Sequence, residues 1–281
     1  SDLLGPPSGP FDRLPLVEWA GWWTETVDRW VGEGLPAALR NDGAAVRRWW
    51  GLDVYYQDWI GARRPGCPTP AHHGAGLIAD ERDYERIRPY LYPWPCVDRA
   101  RWQAWAEEQR RGDVVLWYTL EGFFWFPRTL FGIENHLYAF YDQPALMHRI
   151  NRDLTDWLIR VVDEIRSVCA PDFMTFAEDM SYNNGPMLSE ALFDEFMLPY
   201  YRELLPRIHE SGTLSIIDSD GDITAPAYWF ERAGLQGVLP LERQAGVDIA
   251  RLRRDHPRMR FIGHYDKMVM NKGEAAIRGE F

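Results

Sequence analysis

Apolar and polar positions repeat with two different periods along this chain. Between residues 144 and 169, apolar side chains stand at Leu146, Ile150, Leu154, Trp157, Val161, Ile165 and Val168, spaced as the stripe of a long amphipathic helix. Short, nearly continuous apolar and β-branched runs behave otherwise. DVVLWYTLEG, DFMTFAED, TLSIIDSD, LQGVLPLE and RFIGHYDK begin near 113, 172, 213, 235 and 259 and read as strands buried on both faces. Between and after them lie the amphipathic stretches ALFDEFMLPYYRELLPRIHESG, APAYWFERAG, VDIARLRRDHP and GEAAIRGEF. Buried strands alternating with amphipathic helices predict a parallel sheet with right-handed crossovers, and so long a run favours a closed (β/α)8 TIM-type barrel. A doubly wound sheet would carry GxGxxG after its first strand, and none occurs. Pro199 and Pro206 fall in one helical stretch and predict a break or kink there.

The first half is less regular. Residues 1–13, rich in Pro and Gly, predict a tail or entry loop; LPLVEWA, residues 14–20, is a strand candidate. A helix starting at or near Thr24 and stopped by Gly32 or Gly34, a short helix over residues 42–50 and a strand in GLDVYYQDWI follow. Residues 61–76 predict a loop, with His72 and His73 as a surface pair because adjacent side chains diverge. Two charged helices come next, ADERDYERIRPYLYP and VDRARWQAWAEEQRRG, the second capped at Asp98 and stopped by Gly112. Residues 1–281 are thus expected to be one barrel domain with excursions over about 20–112. Seven strand candidates against the eight that close such a barrel predict that its last strand is lacking here and belongs to a longer chain.

Composition excludes several functions. With 46% apolar residues in 281, the chain can bury a large core. Lys and Arg number 31 against 42 Asp and Glu, a net charge of −11 with no basic run, which argues against nucleic-acid or anionic-membrane surfaces. No stretch is apolar enough for a membrane span and the first 20 residues lack a signal-peptide layout, so a cytoplasmic protein is expected. Cys67, Cys96 and Cys169, widely spaced, predict reduced thiols, at least two of them buried. Many of the 14 Trp, including Trp19, Trp22, Trp23, Trp30, Trp49, Trp50 and Trp59, crowd the first half and are expected to anchor helices against the sheet.

Candidate chemistry lies at the strand ends, which read Glu121; Glu178 and Asp179; Asp218 and Asp220; Glu242; and His264, Tyr265, Asp266 and Lys267. A barrel gathers those ends around one mouth, where so many carboxylates cannot all stay ionised and unpaired. The expected catalytic groups are Asp218, Asp220 and Glu178; Glu121, Asp179, Glu242, His264, Asp266 and Lys267 are expected to bind substrate. The metal is unassigned. A divalent ion on Asp218, Asp220 and Glu178 would have oxygen ligands alone, hence be hard or borderline and weakly held. Ser189 reads as a helix cap, and no Ser-His-acid order, GxSxG, P-loop or HExxH is present.

FAEDMSYNNGPMLSEALFDEFMLPYY, IIDSDGDI, GVLPLE and FIGHYDK, in that order, resemble the second half of the uroporphyrinogen decarboxylase superfamily, and FFWFPRTLFGIENHLYAFYDQPALMHRI fits its middle segment. The resemblance covers roughly residues 113–281. It implies a β/α barrel that either decarboxylates tetrapyrrole acetate side chains or moves methyl groups among small donors, corrinoids and thiols. Tetrapyrrole decarboxylases of this family carry an N-terminal arginine motif, which nothing near Arg13 matches, and acids would repel a polycarboxylate. Its thiol-activating methyltransferases carry His-x-Cys-Gly where this chain reads Asp218, Ser219, Asp220 and Gly221, so soft zinc ligands are replaced by hard oxygens. The resemblance therefore points to methyl transfer on a small-molecule substrate, with a corrinoid or a corrinoid protein as the expected partner. Tetrapyrrole decarboxylation, a glycoside hydrolase built on Glu178 and Glu242, and a non-catalytic small-molecule-binding barrel are the alternatives.

Overall fold

The computed structural model describes residues 16–19 and 21–280. Six strands form one wholly parallel sheet: β1 Tyr55–Ile60, β2 Val115–Glu121, β3 Phe173–Ala177, then, beyond a separate antiparallel hairpin of β4 Ser181–Tyr182 and β5 Gly185–Pro186, β6 Leu214–Asp218, β7 Gly237–Leu241 and β8 Arg260–Gly263. The sheet order is β1-β2-β3-β6-β7-β8. It never reverses, as the wall of a barrel does not and a doubly wound sheet does. Among the described residues β1 and β8 are its end members.

Twelve helices cover this sheet among the described residues. Ahead of β1 lie α1 Thr24–Gly32 and α2 Gly43–Trp49; between β1 and β2, α3 Glu81–Ile87 and α4 Arg99–Arg111; between β2 and β3, α5 Trp125–Phe131, α6 Ile133–Asp142 and α7 Pro144–Arg166. After the hairpin come α8 Glu190–Phe196, α9 Leu198–His209, α10 Pro226–Ala233, α11 Ile249–Asp255 and α12 Glu274–Glu280. Asp42, Asp80, Asp98, Ser189 and Asp248 each accept an N–H of the first turn and start their helices, while Gly112 at φ 79° closes α4 in a left-handed conformation that favours glycine. The expected break at Pro199 is present: α8 ends at Phe196 and α9 restarts at Leu198. At Pro206 α9 continues.

The two faces of the sheet differ. Tyr118, Leu120, Met174, Phe176, Ile217 and Val238 point outward and are buried in the main core, together with the α7 stripe of Leu146, Ile150, Leu154, Trp157, Val161 and Ile165. On the other face the strand register sets Trp117, Phe173 and Leu214 in one row, Thr119, Thr175 and Ile216 in the next, and Glu121, Ala177, Asp218 and Leu239 in the last. The polar character of this inner face therefore rises toward the strand ends.

Three expectations need correction. Residues 16–19 of the candidate LPLVEWA are not in a strand; the Leu16 N–H donates to Asp53 Oδ2 at 2.9 Å and the Leu16 carbonyl accepts from the Asp53 N–H at 2.8 Å, which is no strand ladder, and residues 14, 15 and 20 lie outside the described residues. Of the early tryptophans Trp19 packs on the sheet, its ring centre 5.7 Å from that of Trp117 in β2, but others are poor anchors. Trp22, Trp30 and Trp50 meet edge-on beside a small cluster of Val27, Leu35 and Val46, while Trp23, Trp49 and Trp59 are exposed. All three cysteines are free and only half-buried, with burial raising each thiol pKa, to about 11 at Cys96 and Cys169. Among the described residues no helix is long and apolar enough to cross a membrane.

Candidate active site

The loop leaving β6 is held at three points. The Glu178 and Asp179 N–H groups donate to the Asp218 carbonyl at 2.9 and 3.2 Å, locking the end of β3 to the end of β6. The Asp220 N–H then donates to Asp179 Oδ1 at 3.3 Å, the Gly221 N–H to Glu242 Oε2 at 2.9 Å and the Asp222 N–H to the Tyr182 carbonyl at 2.9 Å. Only glycine fits at position 221: φ is +85°, and a Cβ would lie 2.6 Å from the Tyr182 Cα. Asp179 itself sits at φ 39°, a conformation disfavoured for a residue with a side chain and enriched at functional sites. Short-range backbone chemistry thus brings carboxylates from β3, β6 and β7 to one place.

Asp218 is the group this arrangement singles out. Its half-buried carboxylate has no hydrogen-bond partner among the described residues, and burial first, then the charges of Asp179 and Asp220, push its pKa up to about 7. Burial also raises Asp220, helped by Glu242 and Asp179 and opposed by Lys267. Asp179 is raised by burial against the pull of the Asp220 N–H and the Arg128 guanidinium. At Glu242 burial is outweighed by Lys267 Nζ at 2.5 Å, the Gly221 N–H and Gln244 Nε2 at 2.6 Å, so this carboxyl lies below its usual range, and it holds the Lys267 ammonium above its own. The site therefore holds one fixed ion pair beside three carboxyls that take up protons more readily than usual. Near neutral pH Asp218 can both give and accept a proton.

Glu178 is not part of this group. It is wholly buried and faces away, accepting at Oε1 from the Phe123 N–H (2.8 Å) and the Tyr201 hydroxyl, and at Oε2 from the Phe124 and Trp125 N–H groups at 2.7 and 2.9 Å. The catalytic role expected of it gives way to an anchoring one, because four donors occupy both oxygens at the start of α5. Burial raises its pKa to about 7 despite those donors. Glu121, in the same row as Asp218, is likewise engaged, by the Ala62 N–H at 2.8 Å and by Arg63 at 3.9 Å. His264 bonds the Val247 carbonyl at 2.9 Å, and Asp266 caps the short 3-10 turn Lys267–Val269, so both serve local backbone. The structure thus gathers Asp179, Asp218, Asp220, Glu242 and Lys267.

Arg128, which sequence reasoning did not single out, lies beside Asp179. It stands in the last turn of α5, its Nη1 donating to the Asp179 carbonyl at 3.2 Å and its guanidinium 5.3 Å from the Trp125 ring centre. A lone arginine inside the apolar run FFWFPRTLF was the available signal. No three His, Cys, Asp or Glu are arranged to hold a metal ion among the described residues. The oxygen set expected from Asp218, Asp220 and Glu178 does not assemble, since Glu178 is fully engaged elsewhere, so these residues do not fit a resident divalent ion. His72 and His73 are both exposed. A cavity of about 560 Å³ lies at the opposite end of the sheet, among Tyr55, Trp117, Phe173 and Leu214 near the strand starts, away from this chemistry.

The family model described as uroporphyrinogen decarboxylase (URO-D) matches residues 119–281, which include every residue of this site. A methyltransferase from Methanosarcina mazei has a similar fold, with a TM-score of 0.58 at 16% identity over 90% of this chain and 78% of its own. A sugar phosphate isomerase/epimerase from Parabacteroides distasonis aligns over 88% of this chain and 79% of its own at 12% identity, but its TM-score of 0.39 is too low to bear on the fold. No curated protein matches the sequence.

Proposed function

This chain belongs to the uroporphyrinogen decarboxylase family, and from that premise we propose that it transfers a methyl group from a small methylated donor to a corrinoid or thiol acceptor. The observation that carries this reading is Asp218, an unpartnered carboxyl with a pKa near 7 at the mouth of a parallel sheet. In the step envisaged, the bond between the donor heteroatom and its methyl group breaks and the methyl group joins the acceptor's electron pair. The bonding pair stays on the heteroatom, which Asp218 protonates. Asp179 and Asp220 keep that proton available by raising the Asp218 pKa, and the Glu242–Lys267 pair holds Gly221 and hence the loop. We also read the six strands as consecutive members of a (β/α)8 barrel wall, with the mouth at their C-terminal ends.

Tetrapyrrole decarboxylation is less well supported. A polycarboxylate would meet Asp179, Asp218, Asp220 and Glu242, while Lys267 is already paired with Glu242 and Arg63 faces Glu121. The test is to incubate the purified chain with cob(I)alamin and a set of methylated amines, thioethers and ethers, and separately with uroporphyrinogen. Loss of cob(I)alamin absorbance that requires a methylated donor, and is abolished in Asp218→Asn, is expected. Carbon dioxide release from uroporphyrinogen without methyl transfer would contradict the reading.

A further inference from the structure

We infer that Arg128 anchors a carboxylate on the substrate, so that the molecule taken at this mouth is a small methylated monocarboxylate. The inference rests on the methyl-transfer reading for the methyl group but not for the anion. A guanidinium has five N–H donors, and among the described residues Arg128 spends one hydrogen bond, on a backbone carbonyl. It meets no carboxylate within 4 Å there, unlike most arginines of this chain, although the Asp179 side chain is close enough to feel its charge. None of its nitrogens is among the buried atoms that lack a partner. The side chain is half-buried and its unused donors are not sealed from solvent, and the Nε–Nη2 edge is the planar fork that fits a carboxylate.

Position adds to the argument. Arg128 grips the carbonyl of Asp179, whose N–H bonds the Asp218 carbonyl and whose carboxylate holds the Asp220 N–H. One residue, Asp179, thus links the cation to Asp218 and Asp220 through direct hydrogen bonds. Lys267 is already paired with Glu242, so among the described residues Arg128 is the one cation beside Asp179, Asp218 and Asp220 without a carboxylate within 4 Å, which suits one negative charge; a dianion or a polycarboxylate would meet repulsion for every further charge. The guanidinium lies over the Trp125 ring, 5.3 Å from its centre, a contact that helps to orient the cation.

The test compares three isosteric pairs by calorimetry or ligand-observed NMR: methoxyacetate and methoxyacetamide, trimethylglycine and its amide, 4-methoxybenzoate and 4-methoxybenzamide. In at least one pair the carboxylate is expected to bind about tenfold or more tighter than the amide, with Arg128→Gln removing the difference and Arg128→Lys restoring part of it. Melting curves of both variants confirm the fold. Equal affinity within every pair, no carboxylate binding at millimolar concentration, or a preference that survives in Arg128→Gln overturns the inference. Because binding is read without turnover, an Arg128-dependent preference with no methyl transfer would sink the proposed reaction and leave the anion anchor standing.

Discussion

The hydroxyl of Tyr201 in α9 donates to the carboxylate of Glu178, and both side chains are fully buried. That bond ties α9 to the end of β3, and the three N–H bonds on the same carboxylate tie both to the start of α5. Glu178→Ala leaves four buried donors unpaired and is expected to cost about 3–5 kcal/mol, with Glu178→Gln losing less because one oxygen remains. Denaturant unfolding measures this. A loss below about 1 kcal/mol would show that water replaces the carboxylate. Gly122→Ala should be comparably damaging, since its Cβ would lie 2.2 Å from the Glu178 carboxyl carbon.

The Gly221→Ala variant tests the loop. Its φ of +85° and the Tyr182 backbone at 2.6 Å leave no room for a methyl group, so a loss of about 1–3 kcal/mol is expected, with a larger loss of activity as Asp220 and Asp218 shift. Unfolding and turnover on the same samples check it; a variant with unchanged turnover would mean that the loop geometry is not used.

Much of this fold was legible in the sequence because burial on both faces leaves a plain mark. The strands β2, β3, β6, β7 and β8 and the α7 stripe lie where apolar runs and three-to-four spacing put them. The acids at the strand ends were legible as a set, but their division was not. Glu178 and Asp179 are adjacent, and only the three-dimensional path turns one toward the α5 N–H groups and the other toward the Asp220 N–H. Periodicity could not place Arg128 either, since its role depends on the carbonyl of a residue 51 positions away. The candidate LPLVEWA has strand-like composition, yet pairing is a tertiary property, and Leu16 meets Asp53 through one backbone bond and one to its carboxylate.

Stability should fall as pH rises through neutrality. Asp218 and Glu178 both have folded pKa values raised to about 7, so the folded chain binds protons that the unfolded chain releases near the ordinary carboxylate range. Their contribution is complete below that range and is lost as pH climbs through about 7. Melting temperature is therefore expected to drop between about pH 5 and about pH 8, and Asp218→Asn, which cannot ionise, should drop less. Parallel slopes for the two proteins would refute a raised Asp218.

The proposed acid can be observed directly by titrating the carboxyl carbon of Asp218 in 13C-labelled protein, assigned by its loss in Asp218→Asn. A pKa near 7 that falls toward the usual range in Asp220→Asn is predicted, since burial and the neighbouring charges raise it together. A value near about 4 in the unsubstituted chain would contradict the account, because Asp218 would then hold no proton to give at neutral pH.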